Sequence, residues 1–267
     1  MADWDPELYH RFRRYRAEPV AMMLARLVLE RAEKIIDLGC GTGEHTVELA
    51  RRTATGIARG LDSSAAMIER ATALRESLSA DLKARVAFTL GDLREFAADS
   101  EYDVIFSNAA LQWVRDHRSV LERCFRALRH GGTLAVQMPA NEGETAQMTI
   151  RALANEAPWQ AALGAIRTPS DLTVRPPDEY RAMLAEIGFV DIDCDYHIFR
   201  HPMAGPAEVV EWSRATALRR YLAALAADRQ QDFITDLTRR LEQAYGTSGP
   251  LTFEFRRLFL WARRSAN

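Results

Sequence analysis

The stretch Ile35-Ile36-Asp37-Leu38-Gly39-Cys40-Gly41-Thr42-Gly43 constrains this chain more than any other: an apolar run ends in three alternating glycines and then enters a segment with helical periodicity. A strand that turns directly into a helix needs a tight junction, which glycine supplies by adopting positive φ at no steric cost. The first turn of such a helix presents free N–H groups to whatever polar ligand occupies the junction. The alternation then recurs. Strands are expected over 34–38, 57–61, 86–90, 103–106 and 133–138, and helices near 43–52, 64–78 and 119–129. Crossovers of this kind join parallel strands and cover both sheet faces, so the expected fold class is α/β with a doubly wound, mostly parallel sheet.

Beyond residue 140 the pattern changes to helices near 144–156, 177–187, 207–227 and 228–245, around one strand at 190–199 and before a last strand at 253–262. This predicts a helical cap. The expected organisation is one domain over 1–267: an N-terminal lid helix in 1–30, a ligand-binding core in 31–140, cap helices in 141–249 with one core helix and strand at about 177–200, and a final core strand and tail in 250–267. With 48% hydrophobic and 27% charged residues the chain can bury one sizeable core and keep a charged surface.

The formal charge of −2 offers no overall basic surface, which argues against nucleic acid as a partner. No run approaches the roughly 20 apolar residues that span a bilayer, and the first residues have no apolar stretch of signal-peptide type, so no membrane contact and a cytoplasmic location are expected. Cys40, Cys124 and Cys194 are far apart and the six histidines are scattered, so no metal site is expected and no histidine is assigned a catalytic role.

Asp62 follows Gly43 by 19 residues and closes the second strand, where an acidic side chain can accept the hydroxyls of a ribose. A dinucleotide fold shares this arrangement, but its glycines are spaced G-x-G-x-x-G. Here Gly43 is followed by Glu44-His45, and Glu44 would stand close to any pyrophosphate. A cationic sulfonium ligand with an α-amino group tolerates that carboxylate better. Gly91-Asp92-Leu93 closes the third strand, Ser107-Asn108-Ala109-Ala110-Leu111-Gln112-Trp113 closes the fourth, and Arg129-His130-Gly131-Gly132 reads as a helix stop and a turn into the fifth. On their own, the glycines could be a tight turn and Asp62 a helix cap.

With this ordered set, residues 30 to 140 resemble the class I S-adenosylmethionine-dependent methyltransferases, whose seven-stranded sheet ends in an antiparallel strand; 253–262 looks like that strand. The resemblance implies S-adenosylmethionine as cofactor and S-adenosylhomocysteine as product. It also implies that Asp37, Gly39 and Gly41, with Cys40 and Gly43 of the same loop, line the methionine moiety. Asp62 with Ser63 would take the ribose, Asp92 with Leu93 the adenine, and Asn108 would lie under the sulfonium. Nucleic-acid and amide N-methylating relatives carry N-P-P-Y after the fourth strand, where this chain reads Asn108-Ala109-Ala110-Leu111.

The flanks resemble the branch of that family that methylates trans-aconitate: Trp4–Tyr9 with Phe12, Arg16 and Pro19, the run 108–113, Ala135–Pro139, Trp212, Ala215-Thr216, Leu218-Arg219, and Arg257-Leu258-Phe259 with Ala262-Arg263-Arg264. This implies a carboxyl O-methyltransferase that forms the monomethyl ester of a small polycarboxylate and needs no acid or base residue. Candidate substrate-binding residues are Tyr9, Arg16, Trp113, Trp212 and Arg219. If 207–227 is one helix, Trp212, Thr216 and Arg219 share a face and Arg214 points away. Tyr9, Phe12 and Arg16 could equally be a packing stripe. A malonyl-carrier-protein carboxyl methyltransferase and a non-catalytic S-adenosylmethionine-binding protein remain open alternatives.

Overall fold

The computed structural model describes residues 12–29, 31–166, 174–214 and 216–266. A seven-stranded mixed sheet has the order β3-β2-β1-β4-β5-β7-β6. Its strands are β1 Lys34–Leu38, β2 Ile57–Asp62, β3 Val86–Leu90, β4 Tyr102–Asn108, β5 Leu128–Pro139, β6 Phe189–Met203 and β7 Leu251–Arg264. The α/β doubly wound class is thus observed. The chain forms two compact units, one of Met1–Glu18, Ala140–Leu172 and Ile198–Arg257 (unit 1) and one of Pro19–Pro139, Thr173–His197 and Leu258–Asn267 (unit 2).

In unit 2 the strands β3, β2, β1, β4 and β5 pair in parallel. Ile35, Ile36 and Leu38 on β1 and Val104, Ile105 and Phe106 on β4 are all buried. Apart from Asp37, these are the near-continuous apolar runs that strands covered on both faces require, and each such side chain contributes about 1.5–3 kcal/mol by leaving water. The helix Glu44–Arg52 buries Thr46, Val47, Leu49 and Ala50 on one side. The helix His117–Ala127 starts where Asp116 accepts the Ser119 N–H at 3.1 Å. The strand order reverses between β1 and β4, and ligands of open α/β sheets bind beyond the carboxyl ends of strands at such a point.

The fifth strand begins earlier than the sequence suggests. The helix stops at Ala127 and β5 starts at Leu128, so Arg129-His130-Gly131-Gly132 is an excursion inside the strand and not a turn before it. Tyr102 pairs Leu128 and Val104 pairs Thr133, and Gly131 takes φ +77° within the bulge. Arg264 Nη1 donates to the carbonyls of Leu128 at 2.6 Å, Arg126 at 3.1 Å and Phe125 at 3.3 Å, satisfying the helix end from a distant strand.

Unit 1 is mainly helical. The helix Ala227–Tyr245 buries Phe233, Leu237 and Leu241 at i, i+4 and i+8, and Thr145–Ala154 buries Ala146, Ile150, Leu153 and Ala154. These join Phe12, Trp159, Trp212, Tyr221, Phe253 and Phe255 in one apolar cluster. Trp159 packs edge-on against Phe233 and donates its indole N–H to Asp236 at 3.0 Å. The expected long helix over 207–227 is instead two, Pro206–Arg214 and Leu218–Ala223. At Thr216 the helical ladder is left: its N–H donates to the Ser213 carbonyl, three residues back, in place of Trp212. Among the described residues no helix is long and apolar enough to cross a membrane.

Candidate functional site

The loop after β1 is built by three left-handed glycines, Gly39 at φ +78°, Gly41 at +55° and Gly43 at +88°. Each is needed for a different reason. A Cβ on Gly39 would stand 2.2 Å from Ala110 Cβ, and one on Gly43 would stand 2.5 Å from the Phe88 ring. Around a Cβ on Gly41 there is open space to 4 Å. The backbone at Gly41 therefore borders room for a ligand, whereas Gly39 and Gly43 let protein elements meet.

Four polar contacts fix the loop. The N–H groups of Gly39 and Cys40 both donate to the Leu61 carbonyl, at 2.7 and 3.0 Å. Asp62, half-buried at the end of β2, accepts the Gly41 N–H on Oδ2 at 2.9 Å and the Ser64 N–H on Oδ1 at 2.9 Å. A carboxylate oxygen has two acceptor positions, so each keeps one. Ser63 is exposed and Leu93 half-buried. Cys40 is buried and its thiol pKa is raised by burial, which leaves it a packing group of the loop.

Asp37 lies on β1 with 2% exposure. Burial pushes its carboxyl up to about 7; the Thr46 hydroxyl donating at 2.7 Å lowers it, and the Asp62 charge raises it further. Asp92 is held below the ordinary carboxylate range by Arg94, whose Nε donates to both carboxylate oxygens at 3.0 and 2.9 Å.

At the end of β4, Asn108 pairs in register with Gln137 of β5. Ala109 takes the left-handed φ of +54° and donates its N–H to the Gln137 carbonyl at 2.9 Å. The Gln137 side chain is 1% exposed, yet its Oε1 and Nε2 have no hydrogen-bond partner among the described residues, and neither has Asn108 Oδ1. Buried polar atoms without partners are uncommon and point to a missing ligand or water. Sequence reasoning missed Gln137. The signal was a polar residue inside the apolar run Leu134-Ala135-Val136-Gln137-Met138.

The remaining candidates belong to different units. Trp113 follows Asn108 in unit 2 and is 60% exposed. Arg16 and Trp212 lie in unit 1, with the guanidinium 5.1 Å from the indole ring centre. Arg219 is exposed, and because the helix ends at Arg214 the helical phase that set it beside Trp212 does not apply. Phe12 packs edge-on against Trp212 at 5.2 Å. Tyr9 lies outside the described residues. His117 is bracketed by the Tyr180 hydroxyl and the Leu111 carbonyl, a packing role.

Residues 29–186 match the family model described as a methyltransferase domain. A trans-aconitate 2-methyltransferase of Variovorax paradoxus is 39% identical over the whole of both chains, and one of Methylobacterium radiotolerans is 38% identical, again over the whole of both. The fold is also that of the YcgJ protein from Bacillus subtilis, at a TM-score of 0.61 and 17% identity over 93% of this chain and 98% of that one. Haemonchus contortus phosphoethanolamine N-methyltransferase 2, solved with S-adenosyl-L-methionine, matches at a TM-score of 0.57 and 17% identity over 93% and 52%. The chain belongs to the methyltransferase family, and within it to the trans-aconitate 2-methyltransferases.

Proposed function

We propose that this chain uses S-adenosylmethionine to esterify one carboxyl of a small polycarboxylate, trans-aconitate first among them, releasing S-adenosylhomocysteine. The end-to-end likeness to relatives of that name carries the reading. The loop geometry supports it: open space over Gly41, free acceptor positions on Asp62 and an unpartnered Asn108 Oδ1 suit a ligand that brings hydroxyl donors and a positive charge.

When bound, S-adenosylmethionine supplies a methyl group that a carboxylate oxygen displaces from a cationic sulfur, with no proton transferred. The chain's work is therefore to bind, orient and exclude water. In this reading Asp62 with Ser63 takes the ribose, and Asp92 with Leu93 takes the adenine while Arg94 holds the Asp92 carboxylate in place. The loop of Asp37, Gly39, Cys40, Gly41 and Gly43 lines the methionine end. Burial lifts the Asp37 carboxyl to about 7, and a cationic group held beside it would favour its ionised form. The Asn108 and Gln137 carbonyl oxygens present negative dipoles to a positive centre, and Gln137 Nε2 adds a donor for an acceptor carboxylate. Trp113 offers apolar surface to the acceptor, and Arg16 offers a guanidinium to a carboxylate.

Mass spectrometry of trans-aconitate, cis-aconitate, citrate, isocitrate and malonyl thioesters incubated with the protein and S-adenosylmethionine tests the reading. An added methyl on trans-aconitate is expected. Methylation confined to a malonyl thioester, or to nothing in the panel, would overturn it.

A further inference from the structure

Two guanidiniums in unit 1 lie against one aromatic cluster. Arg16 stands over Trp212, and Arg257, on β7, lies with its Cζ 4.4 Å from the centre of the Phe255 ring; the Trp212 and Phe255 rings are 5.5 Å apart. Other cations of unit 1 strands have carboxylates, Arg256 meeting Glu144 at 3.2 Å and Arg200 meeting Glu254 at 2.9 Å. Arg257 meets none among the described residues, and its Nε is enclosed without an acceptor. The same holds for the indole N–H of Trp212, a side chain 2% exposed.

Among the described residues no carboxylate offsets the charge of Arg257. Burial pushes its pKa down to about 9, and the neighbouring Arg16 charge acts in the same direction. His201, 5.5 Å from the Trp212 ring, is held neutral, down to about 4, by burial and then by Arg257 and Arg14. Glu18 stands 3.8 Å from His201 Nδ1 and is half-exposed.

A half-buried guanidinium whose Nε has neither solvent exposure nor an acceptor is destabilising without a counter-charge, and a second cation beside it adds to the cost. Guanidinium and indole N–H groups only donate, so the complementary occupant must accept hydrogen bonds and carry negative charge. A carboxylate meets both needs, since its two oxygens match the guanidinium fork. The aromatic walls further suit a planar conjugated acid.

We propose that Arg257, with Arg16 beside it and the Trp212 indole N–H, forms a carboxylate-binding site within unit 1 that takes one carboxylate of the polycarboxylate; this rests on the reading above. The test is calorimetric titration of trans-aconitate, mesaconate, itaconate and inorganic phosphate into the intact chain saturated with S-adenosylhomocysteine. Mesaconate and itaconate are each trans-aconitate less one carboxylate. Arg257→Gln should weaken trans-aconitate at least 30-fold, bind it no better than the dicarboxylate lacking the paired carboxylate, and leave S-adenosylhomocysteine affinity unchanged. Its ligand-free melting temperature should not fall, because a half-buried charge without a counter-charge has been removed, and Arg257→Lys should restore only part of the affinity. Trans-aconitate binding within twofold of wild type in Arg257→Gln would overturn the site, as would an equal loss of both ligands, or phosphate bound through Arg257 more tightly than any carboxylate. If the wild type binds polycarboxylates through Arg257 but methylates none, the site stands and the functional reading falls. If it methylates trans-aconitate with an unchanged KM in Arg257→Gln, the reading stands and the site falls.

Discussion

The backbone N–H of Gly41 donates to Asp62 Oδ2 at 2.9 Å, so the residue that closes β2 also holds the loop that leaves β1. Asp62 takes the Ser64 N–H on its other oxygen, and the loop is held again by the Leu61 carbonyl one residue earlier. A residue proposed to bind the ribose is thus also the staple of the glycine loop, and one substitution there touches both roles.

Asp62→Ala should lower the affinity for S-adenosylhomocysteine at least tenfold, because a charge-assisted hydrogen bond contributes on the order of 1.5–3 kcal/mol and the loop loses its staple as well. Isothermal calorimetry on a variant with native circular dichroism measures this. Affinity equal to wild type would reduce Asp62 to a turn-former.

The glycines should separate stability from binding. Gly39→Ala brings its Cβ to 2.2 Å from Ala110 Cβ at φ +78°, and combined overpacking and left-handed strain should cost about 2–4 kcal/mol in denaturant unfolding. Gly41→Ala meets no atom within 4 Å, so about 1 kcal/mol of strain is expected, with cofactor affinity falling tenfold or more. A Gly41 variant that binds normally would place the ligand elsewhere.

Asp37 gives a pH signature. Burial lifts its folded pKa to about 7, above the ordinary carboxyl value of 3.8, so the folded state holds a proton that the unfolded state has released, and that stability is lost as pH rises through 7. About 1.4 kcal/mol should disappear between pH 6 and pH 8 in the ligand-free protein. Asp37→Asn should lack this part of the pH dependence. Parallel stability curves for the two proteins would contradict the assignment.

Gln137→Leu replaces an enclosed, unpartnered amide by an apolar side chain of similar size. Stability should hold or rise, since the cost of burying that amide disappears, while kcat falls on the order of tenfold with cofactor affinity little changed. A large drop in melting temperature with unaltered kcat would make Gln137 a packing residue.

Trp113 is 60% exposed, so Trp113→Ala should change the melting temperature little. If it contacts the acceptor, the specificity constant for trans-aconitate should fall about tenfold. Arg219→Ala serves as the comparison: an exposed guanidinium contributes about 0–1 kcal/mol, and less than a threefold change is expected. A hundredfold loss at Arg219 would restore it to the site.

Local patterns carried most of unit 2. The runs around Ile35 and Val104 are strands because buried parallel strands need near-continuous apolar sequence, and the glycine loop is visible because positive φ selects glycine. The likeness of the flanks to trans-aconitate methyltransferases was legible in short runs as well, and the full-length relatives bear it out. Where a local signal competed with a distant one, the pattern misled. Helical periodicity ran on through Thr216, whose N–H turns to the Ser213 carbonyl after the helix has ended at Arg214. The double glycine read as a turn, whereas pairing with β4 and the reach of Arg264 make it a bulge within β5.

What the sequence by itself determined is therefore each element whose cause is local: the strand, loop and helix order, the glycines' left-handed backbone, and the acid that closes β2. Only the tertiary structure decided which polar groups are enclosed and what they face. The apolar run around Gln137 and the family-like run around Arg257 mark these residues in the sequence, but neither says that the side chain is enclosed without a partner; that is a property of packing among residues far apart in sequence. The same physics leaves Arg219 exposed and encloses the Nε of Arg257.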